Sequence, residues 1–189
     1  MKKEPRLPDF QVNFLSEDEK ETFPWKARLE PLARKILIEE NHPENVNIII
    51  CSDKTVRELN AAYRKLDKVT DVLSFEWHED YLLGEIYIAK DQVKRQAPKF
   101  GNSFYQELKR MIVHGILHLS GYDHHTVPER TVMRRREREI LGVDIYNAGK
   151  GKNRYCRYFL GFKTSPLLLF SQLFASFSRD FFLSLKLSF

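Results

Sequence analysis

Four of the six histidines in this 189-residue chain lie within twelve positions, at His114, His118, His124 and His125. Their spacing limits what the segment can fold into. Residues four apart stand one turn apart on the same face of an α-helix, so His114 and His118 can aim two imidazoles at a single point. Gly121 follows, and glycine accepts a positive φ without steric cost, so the chain can leave the helix there and turn back. His124 then returns to the same point. Three imidazole nitrogens around a cation, with a fourth position left open, describe catalytic rather than structural zinc. Chance grouping is the bland alternative. Three ligand-type residues on one spacing, with a glycine where the turn needs it, argue against it.

The pattern His-x3-His-x2-Gly-x2-His is also that of long-motif zinc peptidases, in which the residue after the first histidine is a glutamate acting as general base. Gly115 occupies that position here. Glycine cannot accept a proton, so peptide hydrolysis lacks its base. For another hydrolysis the proton acceptor would be zinc-bound hydroxide itself or an acid that the fold brings in, such as Asp123, Glu107 or Glu85. Asp123 reads better as a partner fixing a histidine ring. His125 reads as a neighbour rather than a fourth ligand, because chemistry needs the open position.

Around this motif the chain alternates strand and helix signals. Phe10–Leu15 alternates apolar and polar residues and predicts a strand. A helix follows Pro24 and runs to about Glu40, with Leu29, Leu32, Ala33, Ile36 and Leu37 on one face. Val46–Cys51 is a β-branched strand. Ser52 or Asp53 can cap a helix carrying Val56, Leu59 and Tyr63. Asp71–Trp77 and Gly84–Ala89 predict two further strands separated by a short acidic loop, and a short helix ends before Pro98. Ser103 with Gln106 forms a capping box opening the histidine-bearing helix, which continues to Ser120. Thr126 with Glu129 forms another, with Pro128 in its first turn, opening a last helix that reaches Leu141 and stops at Gly142. The expectation is an α/β (α+β type) domain: a small mixed sheet of about four strands flanked by helices.

Composition bounds the function class. Hydrophobic residues at 42% and charged residues at 30% describe a globular chain rather than a disordered or fibrous one. Cys51 and Cys156, with no CxxC pair, exclude a disulfide scaffold and a cysteine-rich zinc module; Cys51 reads as a buried hydrophobe. The start, Met1-Lys2-Lys3-Glu4-Pro5-Arg6, shows no secretory signal, so a reducing cytoplasm is expected. The net charge is +5, and the basic character is local: Arg130 to Lys163 holds ten basic residues against three acidic ones. A polyanionic partner fits that stretch, with affinity falling as salt rises. Arg134, Arg135, Arg136 and Arg138 occupy a helix on which consecutive positions diverge, so they cannot form one stripe. Tyr155, Tyr158 and Phe159 read as packing groups, with base stacking as the alternative. Residues 1–152 read as one domain and residues 153–189 as a Phe/Ser/Leu-rich tail, amphipathic or poorly ordered. The uncharged run Thr164 to Ser178 is too short for a membrane span, so no stable membrane insertion is expected.

The run His114-Gly-Ile-Leu-His-Leu-Ser-Gly-Tyr-Asp-His124 resembles the signature of the YbeY family of bacterial ribosomal RNA maturation factors. Leu59-Asn-Ala-Ala-Tyr63-Arg64-Lys-Leu-Asp67-Lys-Val-Thr70-Asp71-Val-Leu-Ser-Phe75 resembles a second signature of that family, and Leu82-Leu-Gly-Glu85-Ile a third. The likeness spans about Val46 to Val143. It implies a single-strand-specific, metal-dependent endoribonuclease acting in 16S ribosomal RNA 3′-end maturation and ribosome quality control, on a zincin-like metal helix. It implies one Zn2+ per chain on His114, His118 and His124, catalysis through Arg64 and His114, and Arg64 facing the site. It further implies single-stranded ribosomal RNA and the small ribosomal subunit as partners, with ribosomal proteins or an assembly GTPase as candidates. Two features depart from the family. The segment after the third histidine, typically acidic, here reads His125-Thr-Val-Pro-Glu129-Arg130 and then Arg134-Arg135-Arg136, and the tail has no counterpart.

Two other functions stay open on the residues alone. A zinc-containing assembly factor could bind the small subunit without cutting RNA, a reading that Gly115 supports. A peptidase is disfavoured by the same residue.

Overall fold

The computed structural model describes residues 9–142, apart from positions 19, 21 and 80, and only the backbone at 78 and 79. The expected tail, with its aromatic and basic residues, lies outside the described residues. The elements run β1 (Val12–Ser16), α1 (Lys26–Glu39), β2 (Asn45–Cys51), α2 (Asp53–Arg64), β3 (Val72–Glu79), β4 (Leu82–Ala89), α3 (Lys90–Gln96), a 3-10 turn (Ala97–Phe100), α4 (Phe104–Leu119) and α5 (Val127–Leu141). The four strands form one mixed sheet in the order β1-β2-β4-β3. β1, β2 and β4 run parallel, and β3 is antiparallel to β4. The expected α/β architecture is what forms.

Strand alternation divides the core in two. On one face Val12, Phe14, Val46, Ile48, Ile50, Ile86 and Ile88 pack against α1 and α4. On the other, Ile49, Cys51, Leu73, Phe75, Tyr87 and Ala89 lie under Val56 and Leu59 of α2. Cys51 is buried there, as its apolar strand predicts, and burial pushes its thiol well up.

Both predicted capping boxes are present. Ser103 N–H donates to Gln106 Oε1 (2.8 Å) and Gln106 N–H to Ser103 Oγ (3.3 Å). At α5 the Thr126 N–H donates to Glu129 Oε2 (2.8 Å) and Glu129 N–H to Thr126 Oγ1 (3.4 Å). The expected loop between β3 and β4 is shorter than the acidic composition suggests. The strands continue through it, with Glu79 opposite Leu82, because antiparallel neighbours pair up to the turn once a bulge between Glu76 and Glu79 absorbs the register change.

α4 is the central helix. Every residue from Glu107 to Leu119 is buried except Lys109, with the sheet on one side and α1, α3 and α5 contributing around it. Its first turns are fixed by a buried polar group: Glu107 accepts from Asn102 Nδ2 (2.7 Å), Gln96 Nε2 (2.9 Å) and Arg110. Both charges of that ion pair are thereby hydrogen-bonded, the condition for tolerating them in a core. No helix among the described residues is long and apolar enough to cross a membrane.

Candidate metal centre

His114 and His118 lie one turn apart in the second half of α4, with ring centroids 4.6 Å apart. The helix ends in a Schellman motif: Gly121 N–H donates to the His118 carbonyl (2.9 Å) and Tyr122 N–H to the Leu117 carbonyl (3.0 Å). Gly121 takes φ +85, so the turn forms at the glycine that the spacing singled out. Tyr122 then anchors the departing chain. Its hydroxyl donates to Glu40 Oε2 at the end of α1 (2.9 Å), and Arg136 Nε of α5 donates to Glu40 Oε1 (2.5 Å). Asp123 accepts the His124 N–H (2.6 Å) and fixes the last step.

The result is three converging imidazoles. His118 Nε2 lies 3.1 Å from His114 Nε2 and 3.2 Å from His124 Nε2. Ligands about 2.0–2.1 Å from a shared tetrahedral ion stand about 3.3 Å apart, close to these two separations, and all three ligand atoms lie within 4.8 Å of one another. Among the described residues these three are the group able to hold a metal.

Their chemistry fits as well. A metal needs neutral imidazoles with a lone pair directed at it. Burial, aided by the neighbouring histidines, lowers His118 well below its ordinary value, partly opposed by a hydrogen bond to the Tyr122 backbone. Burial and His114 bring His124 down to about 4. Glu137 Oε1 lies 2.7 Å from His114 Nδ1. A carboxylate there accepts the Nδ1–H hydrogen bond, and the tautomer it favours carries its lone pair on Nε2, turned to the centre.

Glu137 is the functional residue that the sequence reading missed. From sequence it is one of the three acids among the ten basic residues of Arg130 to Lys163. A signal was there: Glu137 stands four residues after Met133, and these two are the buried residues of α5. A single acid on the one core-facing stripe of a polar helix requires a partner, and His114 is that partner.

The other candidates fall elsewhere. Arg64 is the last residue of α2 and is half-buried; its charge reaches His118, where it adds to the forces keeping that ring neutral. Asp123 does hold a histidine ring, but it is that of His125 (3.1 Å) rather than of one of the three clustered histidines, and it also accepts from the His124 backbone. His125 is thereby a neighbour, exposed and tied to Asp123. Glu107 belongs to the polar group at the start of α4. Glu85 points to the α2 face of the sheet, away from α4, where it accepts from Tyr87 Oη (2.9 Å) and Asn47 Nδ2 (3.5 Å). Gly115 has a packing reason: a Cβ there would stand 2.7 Å from Ile86 Cγ2. The position that holds the base in long-motif peptidases is pressed against the sheet, so a glutamate would be driven into the core.

Comparison with known proteins gives the family. The family model described as Endoribonuclease YbeY matches residues 13–143. A protein of that name from Acholeplasma laidlawii is 37% identical over 133 residues, covering 69% of this chain and 94% of the relative. One from Geobacillus thermodenitrificans is 37% identical over 146 residues, again covering 69% and 94%. One from Aquifex aeolicus is 49% identical over 83 residues, which span 42% of this chain and 55% of that relative. The solution structure of the Thermotoga maritima protein TM1509 matches with a TM-score of 0.50 at 31% identity, covering 70% of this chain and 90% of that one. With its matched span running from β1 through α5 and enclosing all three clustered histidines, the chain belongs to the YbeY endoribonuclease family.

Proposed function

We propose that this protein is a zinc-dependent endoribonuclease, specific for single strands, that acts in the cytoplasm on the 3′ end of 16S ribosomal RNA precursors and in ribosome quality control. The observation that carries the reading is the convergence of three imidazoles in a chain of this family, with Glu137 setting the ring of the first. His114, His118 and His124 would hold one zinc ion. Bound there, zinc supplies a Lewis acid that polarises a phosphoryl oxygen and acidifies a coordinated water. The chain's own part is to hold the rings, keep His118 and His124 unprotonated and place Arg64 within electrostatic reach of His118. Arg64 suits two phosphate oxygens because its guanidinium is a planar fork of donors. The small ribosomal subunit is the setting in which such a strand end would be presented, with ribosomal proteins or an assembly GTPase as further partners.

The test compares wild type with His118→Ala, purified identically, on a labelled single-stranded precursor of the 16S 3′ end, with the zinc content of each determined. Wild type should hold about one zinc per chain and cut; the variant should lose both properties. Equal cutting by both preparations would sink the proposal. A second reading, a zinc-containing assembly factor that does not cut, is favoured by one observation: Glu85, Glu107 and Asp123 are all engaged away from the histidine Nε2 atoms. Its signature is a wild type that holds zinc and binds the subunit while the RNA stays intact.

A further inference from the structure

The five arginines of α5 beyond the ligand loop divide into distinct groups. Arg136 is spent on the fold: Nε donates to Glu40 (2.5 Å), Nη2 to Glu39 (2.8 Å) and Nη1 to Glu139 (3.4 Å). Arg135 lies out in solvent, 3.9 Å from Glu139. Arg130, Arg134 and Arg138 differ from both. Spaced four apart, they advance by only about 40° around the helix at each step, and Arg134 lies about 160° from Arg136. They therefore form a stripe on the flank turned away from α1, although the four clustered arginines taken together do not.

Three features of that flank point to one kind of partner. It begins at the metal centre, because Nε and Nη2 of Arg130 donate to the carbonyl of His124 (3.4 Å each). Of the acids of the same helix, Glu137 offsets part of this charge through its pull on Arg134. By helical phase Glu129 and Glu139 fall on the Arg136 side, and Glu137 is buried on His114. The three cations also act on one another: partial burial lowers Arg134 first, Arg130 next, and Arg138 lowers it further, against Glu137, which raises it. A row of mutually repelling cations, rising about 6 Å per step, is complementary to successive phosphates of an extended strand.

We infer that the Arg130–Arg134–Arg138 flank of α5 is the track along which the phosphate backbone of single-stranded RNA is led to the metal centre. The inference rests on the nuclease reading and extends it by naming the contacts outside the zinc site. Guanidinium–phosphate contacts carry no sequence information, so the track sets position rather than base preference.

The test uses the full chain and a short fluorescein-labelled oligouridine, with binding followed by anisotropy across a salt series. The triple variant Arg130→Gln, Arg134→Gln, Arg138→Gln should keep its zinc and its melting temperature. It should bind at least about ten-fold more weakly at low salt, with the log–log salt slope reduced by about two. The matching triple lysine variant should keep most of the slope, and Arg135→Gln should leave it unchanged. Equal affinity and slope in wild type and the triple glutamine variant overturn the inference. So does RNA binding that survives while retention on poly-glutamate is lost, since the flank then faces protein. Wild type that binds through this flank without cutting leaves the track in place and refutes the nuclease reading instead.

Discussion

Glu137 shows how much a single side chain can decide. Without it, His114 is free to take either tautomer, and the one protonated on Nε2 cannot bind a metal. The hydrogen bond of 2.7 Å to Nδ1 removes that choice. Glu137→Gln should therefore weaken zinc binding by about 10- to 100-fold, as loss of such supporting carboxylates does. Competition against a chromophoric chelator reads this directly, and an unchanged zinc affinity would rule the role out. Glu85 makes a different prediction at the same scale. Burial raises its carboxyl from 4.5 to about 7, against the opposing bonds from Tyr87 and Asn47. The folded state thus keeps a proton that the unfolded state has released, so stability falls as pH rises from about 4.5 to about 7. The full effect is on the order of 3 kcal/mol. Denaturant midpoints across that window should fall for wild type and flatten for Glu85→Gln; parallel curves would contradict the assignment.

At the scale of elements, the histidine helix was legible because its start, period and stop are all local signals. Ser103, Gln106, Gly121 and the four-residue histidine spacing act within a turn or two of one another. The β-branched run Val46–Cys51 was legible for the same reason. What could not be read were contacts made across the fold. Tyr122 with Glu40 joins residues 82 positions apart, Arg136 with Glu40 joins residues 96 apart, and Glu137 reaches His114 from the next helix. Nothing local marks these pairs, and the arginines of α5 could be sorted only once α1 gave Arg136 its partners. Gly115 belongs to the same class: from sequence it is a missing base, and in the fold it is the place where α4 meets Ile86. Gly115→Ala should gain up to about 1 kcal/mol of helix propensity. It should lose about 1–3 kcal/mol to overpacking against a fully buried, β-branched side chain. The expected net is a destabilisation, read as a lower urea midpoint at unchanged slope. A more stable variant would mean that the sheet yields freely at Ile86.

Across the whole molecule, the metal site joins parts that the sheet does not. Two candidate ligands come from α4, the third from the loop after it, and Glu137 brings in α5, which rests chiefly on α4. Filling such a site binds the folded chain and not the unfolded one, so zinc should stabilise by mass action, by about 4 kcal/mol at a free concentration 1,000 times the dissociation constant. Chelation should therefore lower the melting temperature of wild type, and added zinc should restore it. His118→Ala should melt near the chelated wild type and respond to neither treatment, because two remaining imidazoles cannot hold the ion as three do. Glu137→Gln should fall between them and need more zinc for the same recovery. Hydrogen exchange would locate the effect: zinc should slow the amides of the 121–126 loop and of α5, while those of β2 and β4, held by the sheet, change little. Uniform slowing across the sheet would mean instead that the ion stabilises the domain as one cooperative unit, with no special hold on the ligand loop.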